Sequence, residues 1–174
     1  MNRLVAAVAL LLVTPGWAPA QSEERPYRGQ GYVAFGLGGA SGHPRSAGAV
    51  EQISFGGEGF LYKGLGLGAG VGYVNWGQGQ FNDQAWMPSA DVSYHFGRRA
   101  RRGGIDPYVL GGFTAYVPTS HGNRGAPAGN IGGGVNVWIR EHAALRFEVR
   151  NTISNSDFGP GDEYVSFRFG LTFR

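Results

Sequence analysis

The chain has no cysteine among its 174 residues, so no disulfide can staple it. It has few charges, 16% of residues, and its net charge of +3 is modest. Four arginines in one stretch, Arg98, Arg99, Arg101 and Arg102, outweigh that excess by themselves. A basic cluster so confined is a solvated turn, with anionic headgroups as its alternative contact, and it excludes nucleic acid as a partner. No apolar run after the first twenty residues approaches the length of about 20 needed for a membrane-spanning helix. Nucleotide-type phosphate loops are also missing. The glycines at 66, 68, 70 and 72 are followed by neither Lys-Ser/Thr nor a helix start. His43 and His121 lack the companion ligands that a metal site requires.

Glycine and aromatics are what the chain has in plenty: 32 glycines, and 13% Phe, Trp and Tyr. Glycine alone would suggest a flexible polymer, but disorder needs few aromatics and little apolar content, and here 42% of residues are hydrophobic. At the start, Asn2 and Arg3 precede ten apolar residues, 4–13, followed by Thr14-Pro15-Gly16 and by Ala18-Pro19-Ala20. That pattern is an export signal, cleaved after residue 20. The expected domain is 21–174.

The dominant period beyond it is two, the period of a strand. Over 65–76, Leu65, Leu67, Ala69, Val71 and Tyr73 occupy one phase and four glycines the other. A helix would lose roughly 1 kcal/mol at each glycine, so a strand is preferred. Val165, Phe167, Phe169, Leu171 and Phe173 alternate with Ser166, Arg168, Gly170, Thr172 and Arg174, and 145–152 behaves likewise. Similar alternation runs through 30–39, 50–62, 87–97 and 130–139, with Trp138 unusually bulky for its phase. Pro88 is expected at a strand start or rim, because it cannot donate to a ladder. For 107–117 the phase with Val109, Phe113 and Val117 outward is preferred. The pattern predicts an all-β, eight-stranded antiparallel up-and-down transmembrane β-barrel after the cleaved signal peptide. Tight turns are expected at Lys63-Gly64 and at Arg140-Glu141-His142; longer exposed loops at 40–49, 77–84, 118–127 and 154–162; and a long turn at 97–106.

Glu58, Asp91, Arg146, Glu148, Arg150 and Arg168 all fall on the inward phase. Opposed carboxylates and guanidinia in a narrow interior form paired, bracing networks, with a charged constriction as the alternative reading. Trp76, Trp86, Tyr108, Tyr116, Tyr164 and Phe173 lie near strand ends and are expected as membrane-interface aromatics.

Three segments carry a family resemblance: Asp106-Pro107-Tyr108-Val109, the 145–150 strand Leu-Arg-Phe-Glu-Val-Arg, and the terminal 167–173 strand Phe-Arg-Phe-Gly-Leu-Thr-Phe. Through them the chain resembles the small bacterial outer-membrane β-barrels of the OmpA/OmpX type. The resemblance implies residence in the outer membrane and contact with membrane lipids and lipopolysaccharide. It implies handling by periplasmic chaperones and the barrel-assembly machinery, with Phe169, Leu171 and Phe173 as the assembly signal. The pattern departs in ending on Arg174 after the aromatic. A monomer without cofactor or metal is expected. The functional expectation is a structural or surface-interaction barrel, not an enzyme. The alternatives are a narrow channel for small or hydrophobic solutes and, behind it, a lipid-modifying enzyme. Barrel deacylases resembling this class present His and Ser on the lipid face of the last strands, where this sequence has only His142, at a turn.

Overall fold

A computed structural model of the protein describes residues 28–41, 48–78, 81–97, 103–119, 125–154 and 163–174. The export signal, the arginine turn, His43 and His121 lie outside them. The described residues form eight strands: β1 (Gly29–Ser41), β2 (Gly48–Tyr62), β3 (Leu65–Gln78), β4 (Phe81–His95), β5 (Ile105–Pro118), β6 (Ala126–Arg140), β7 (Ala143–Ile153) and β8 (Glu163–Phe173). Each pairs antiparallel with its neighbours in the chain, and β8 closes on β1, with Phe35 opposite Phe169. Closure leaves no sheet edge, so the backbone polar groups of each strand face a partner strand on both sides. This is the fold expected from the alternation.

The alternation becomes a division between lipid and lumen. Along β8, Val165, Phe167, Phe169, Leu171 and Phe173 point out, while Tyr164, Ser166, Arg168 and Thr172 are buried within. Large apolar side chains stand exposed around the whole circumference, including Phe35, Phe55, Leu67, Val92, Phe113, Ile131 and Phe147. On a water-soluble protein such a surface would be a severe liability; in lipid it is the required solvent-facing layer. From Leu65 to Tyr73 the outward apolar positions of β3 climb roughly 20 Å once strand tilt is allowed for, close to the height of a membrane barrel's apolar band. No described helix is long and apolar enough to cross a membrane.

The inner turns are short. Lys63 and Gly64 both have positive φ, 37° and 98°. That pairing is the primed two-residue turn that matches strand twist. A Cβ on Gly64 would also sit 2.3 Å from the His95 carbonyl oxygen, so this corner admits no other residue without a shift. Tyr108 and Leu110 are buried and Val109 and Phe113 exposed, which is the preferred phase of β5.

Two expectations about connections are corrected. The segment 77–84 is largely strand rather than loop: β3 runs to Gln78 and β4 begins at Phe81, with Gly77 opposite Asn82. Pro88 is not at a strand start but in the middle of β4, exposed on the outer face. It remains paired to Val71 of β3, and the β4–β5 ladder passes from Trp86–Val117 to Ser89–Thr114, skipping Met87 and Pro88 without a change of register. A missing N–H thus interrupts one ladder locally and leaves the strand intact.

Candidate functional site in the barrel lumen

The inward phase fills the barrel in three tiers. The middle tier is ionic and is organised by β7. Arg146, Glu148 and Arg150 are spaced by two and share the inner face, while Glu148 lies directly opposite Arg168 of β8. The Glu148 carboxylate accepts from Arg146 at 2.7 Å and from Arg150 and Arg168 at 2.9 Å each, and from the Tyr108 hydroxyl at 2.8 Å. Arg150 also donates to Asp91 of β4 at 3.0 Å. Every member of this knot is nine-tenths buried or more. The Arg146 guanidinium is additionally sandwiched between the rings of Tyr32 and Tyr108, at 4.3 and 4.5 Å.

The inner tier lies toward the short turns. His95 Nδ1 is 2.7 Å from Asp106 of β5, and its Nε2 is 3.2 Å from Glu58 of β2. Glu58 also accepts from Ser93 and Gln30. The Tyr108 ring stacks on the imidazole at 4.9 Å, and Phe60 meets it edge-on. Trp138, fully buried, packs with Ala144 and Phe60 to close the inner end. The outer tier is apolar: Val50, Val74, Trp76, Met87, Tyr116 and Tyr164 pack with small alanines. Between the outer and middle tiers remains a cavity of about 10 Å³, lined by Gln52, Ser54, Thr114, Arg150, Thr152 and Arg168 among others, which is room for about one water.

Inner-face glycines make this filling possible. A Cβ on Gly134 would lie 2.6 Å from the Tyr108 hydroxyl oxygen and 2.3 Å from the Phe147 carbonyl oxygen. A Cβ on Gly56 or Gly70 would strike the Tyr32 hydroxyl, at 2.7 and 2.8 Å. Gly56, Gly70 and Gly134 are therefore sockets for tyrosines reaching across the lumen.

All six charged residues singled out in the sequence lie on the inner face. Asp91, Arg146, Glu148, Arg150 and Arg168 meet in the knot, while Glu58 is engaged by His95 instead. The interface aromatics divide. Trp86 and Phe173 are exposed on the outer face, but Trp76, Tyr108, Tyr116 and Tyr164 are buried in the lumen, none more than 4% exposed. Their position along the strand suggested an interface girdle; their parity puts them inside. Trp76 shares the phase of Gly66–Gly72, and Tyr164 that of Arg168. The outer face instead carries Tyr62, Tyr94 and Phe96 near the inner rim. Phe169, Leu171 and Phe173, expected as the assembly signal, all face outward. Asp106 was not singled out as a site residue, although it has the parity of Tyr108 and was therefore legible as inward. Among the described residues no group of three or more metal-ligating side chains is placed to hold an ion.

No protein-family model matches the chain, and no curated protein matches it. Solved structures do. The N-terminal β-barrel domain of Pseudomonas aeruginosa OprF is 18% identical, with a TM-score of 0.55 over 84% of this chain and 96% of that one. Neisserial surface protein A is 12% identical, with a TM-score of 0.56 over 83% and 94%. The outer membrane enzyme PagL is 13% identical, with a TM-score of 0.54 over 82% and 99%. At these identities the likeness is one of fold. Taken with the closed ladder and the lipid-facing belt, the fold is that of a small transmembrane β-barrel of the bacterial outer membrane.

Proposed function

We propose that this protein is a sealed outer-membrane barrel of the structural or surface-interaction type, which holds its outer connections at the membrane surface and passes no solute. The observation that carries this reading is the filling of the lumen at three successive levels: the apolar outer tier, the Glu148 knot and the Trp138 plug. An eight-stranded barrel has an interior about wide enough for side chains alone, and here buried side chains occupy each of the three tiers. The belt of exposed apolar side chains fits membrane lipids, with lipopolysaccharide at the outer rim. The outward alternation of Phe169, Leu171 and Phe173 suits recognition by the barrel-assembly machinery, with periplasmic chaperones shielding the apolar phase before insertion. A monomer is sufficient, since closure leaves no strand edge to pair.

The non-enzymatic part of the reading rests on the same enclosure. The one described histidine within a strand, His95, has no exposed side-chain surface and faces two carboxylates, away from any lipid substrate. Proteoliposome swelling tests the proposal: vesicles carrying the refolded protein should shrink and recover in small sugars at the rate of empty vesicles. Faster recovery would favour the narrow channel. An altered lipid A mass spectrum on overexpression would favour the lipid-modifying enzyme.

A further inference from the structure

We propose that the chamber between the outer and middle tiers is a binding site for one ordered water, held by Arg168 Nε and Thr152 Oγ1. Both residues line the chamber, together with Gln52 and Ser54 of β2 and Arg150 of β7. The strand period explains their convergence. Thr152 follows Arg150 by two on the inner face of β7, and across the ladder Arg168 of β8 lies one inner position below Ser166, the partner of Arg150.

Hydrogen-bond accounting points to a ligand here. Thr152 is 1% exposed and Arg168 7%, so neither has bulk solvent to turn to. Yet Thr152 Oγ1 and Arg168 Nε each have no hydrogen-bond partner in the protein. The neighbouring groups are poorly served as well. The Gln52 amide donates to the Met87 sulfur at 3.8 Å, a weak acceptor. The Ser54 hydroxyl reaches the Ala34 carbonyl oxygen at 3.4 Å, long beside the usual O–H···O distance of roughly 2.7–2.8 Å. Buried polar groups are normally satisfied, and where side chains do not meet in a polar cavity a water commonly joins them.

Size and chemistry select water over an ion. The chamber volume of about 10 Å³ suits one water. Both guanidinia at its wall already have their anions: Arg150 has Glu148 at 2.9 Å and Asp91 at 3.0 Å, and Arg168 has Glu148 at 2.9 Å. A halide would therefore compete with buried carboxylates for charge already balanced, and a cation would face two guanidinia. The Arg168 Nε–H can only donate, whereas the Thr152 hydroxyl can do either. A water accepts from the first, donates to the second, and keeps a lone pair for the Gln52 amide.

Crystals of the refolded protein, diffracting well enough to show ordered solvent, test this directly, with a second set soaked in sodium bromide. One solvent peak should lie within hydrogen-bond distance of both Arg168 Nε and Thr152 Oγ1, without bromide anomalous signal. Thr152→Val keeps the shape but removes the hydroxyl, and should lose at least half of the peak's occupancy. Thr152→Ser, which restores the hydroxyl, should recover it. A bromide signal in the chamber overturns the proposal in favour of an anion. A chamber without solvent density, with Thr152 turned onto Asn130, its partner across the β6–β7 ladder, overturns it in favour of a dry lumen. An undiminished peak in Thr152→Val also overturns it. Should Thr152→Val fail to fold, the wild-type maps with and without bromide still decide.

Discussion

Replacing Glu148 with glutamine is the sharpest perturbation of the lumen. The amide keeps the shape of the carboxylate but removes the one charge that three guanidinia and the Tyr108 hydroxyl share. Arg150 retains Asp91 at 3.0 Å, so its charge stays partly balanced. Arg146 and Arg168 keep no anion within ion-pair distance among the described residues. Removing one partner of a buried pair costs about 3–5 kcal/mol. Two guanidinia are stranded here, so the upper part of that range, about 4–5 kcal/mol, is expected. The assay is equilibrium urea unfolding in lipid vesicles, followed by tryptophan fluorescence and by the gel-mobility difference between folded and heated protein. Adding Arg168→Met to Glu148→Gln should return part of the loss, because an apolar isostere relieves one stranded charge. A loss below about 1 kcal/mol for Glu148→Gln would refute the reasoning, since it would mean that water or counterions reach the knot freely.

The glycine sockets make a paired prediction. Gly134→Ala should destabilise the barrel by about 1–3 kcal/mol through the clash with Tyr108 and the Phe147 carbonyl, while Gly59→Ala, where a Cβ meets open space, should change the same unfolding curve little. Phe169→Arg, on the lipid face, should cost about 2–4 kcal/mol in lipid, and an unchanged midpoint would remove Phe169 from the membrane. Single-tryptophan proteins retaining Trp86 or Trp138 should differ toward lipid-attached quenchers: strong quenching for Trp86, 46% exposed, and almost none for fully buried Trp138. Equal quenching would contradict the inward assignment of Trp138.

How much of this was legible in the sequence depended on parity. The period of two follows from backbone geometry, so the inward position of Arg146, Glu148, Arg150 and Arg168 and the outward position of Phe167 and Phe169 could be read without coordinates. Parity also contained the answer for Trp76, Tyr108, Tyr116 and Tyr164, but their nearness to strand ends suggested an interface that their phase excludes. The limits of β3 and β4 were hidden for another reason. Residues 77–84 have loop composition, yet the β3–β4 ladder continues through them as far as Gln78 opposite Phe81. Pairing across strands was the least accessible part. That His95 meets Asp106, or that Glu148 sits opposite Arg168, depends on inter-strand register, which the alternation within one strand leaves free.

Central to the account is a lumen sealed by its own side chains, and planar-bilayer conductance of the refolded protein tests it most directly. The wild-type barrel should insert and remain silent under applied voltage. A variant that empties all three tiers together, Trp138→Ala with Arg146→Ala, Glu148→Ala, Trp76→Ala and Tyr116→Ala, should show discrete steps if it folds, demonstrating that the assay detects an opened barrel. Reproducible single-channel steps from the wild-type protein would contradict the account.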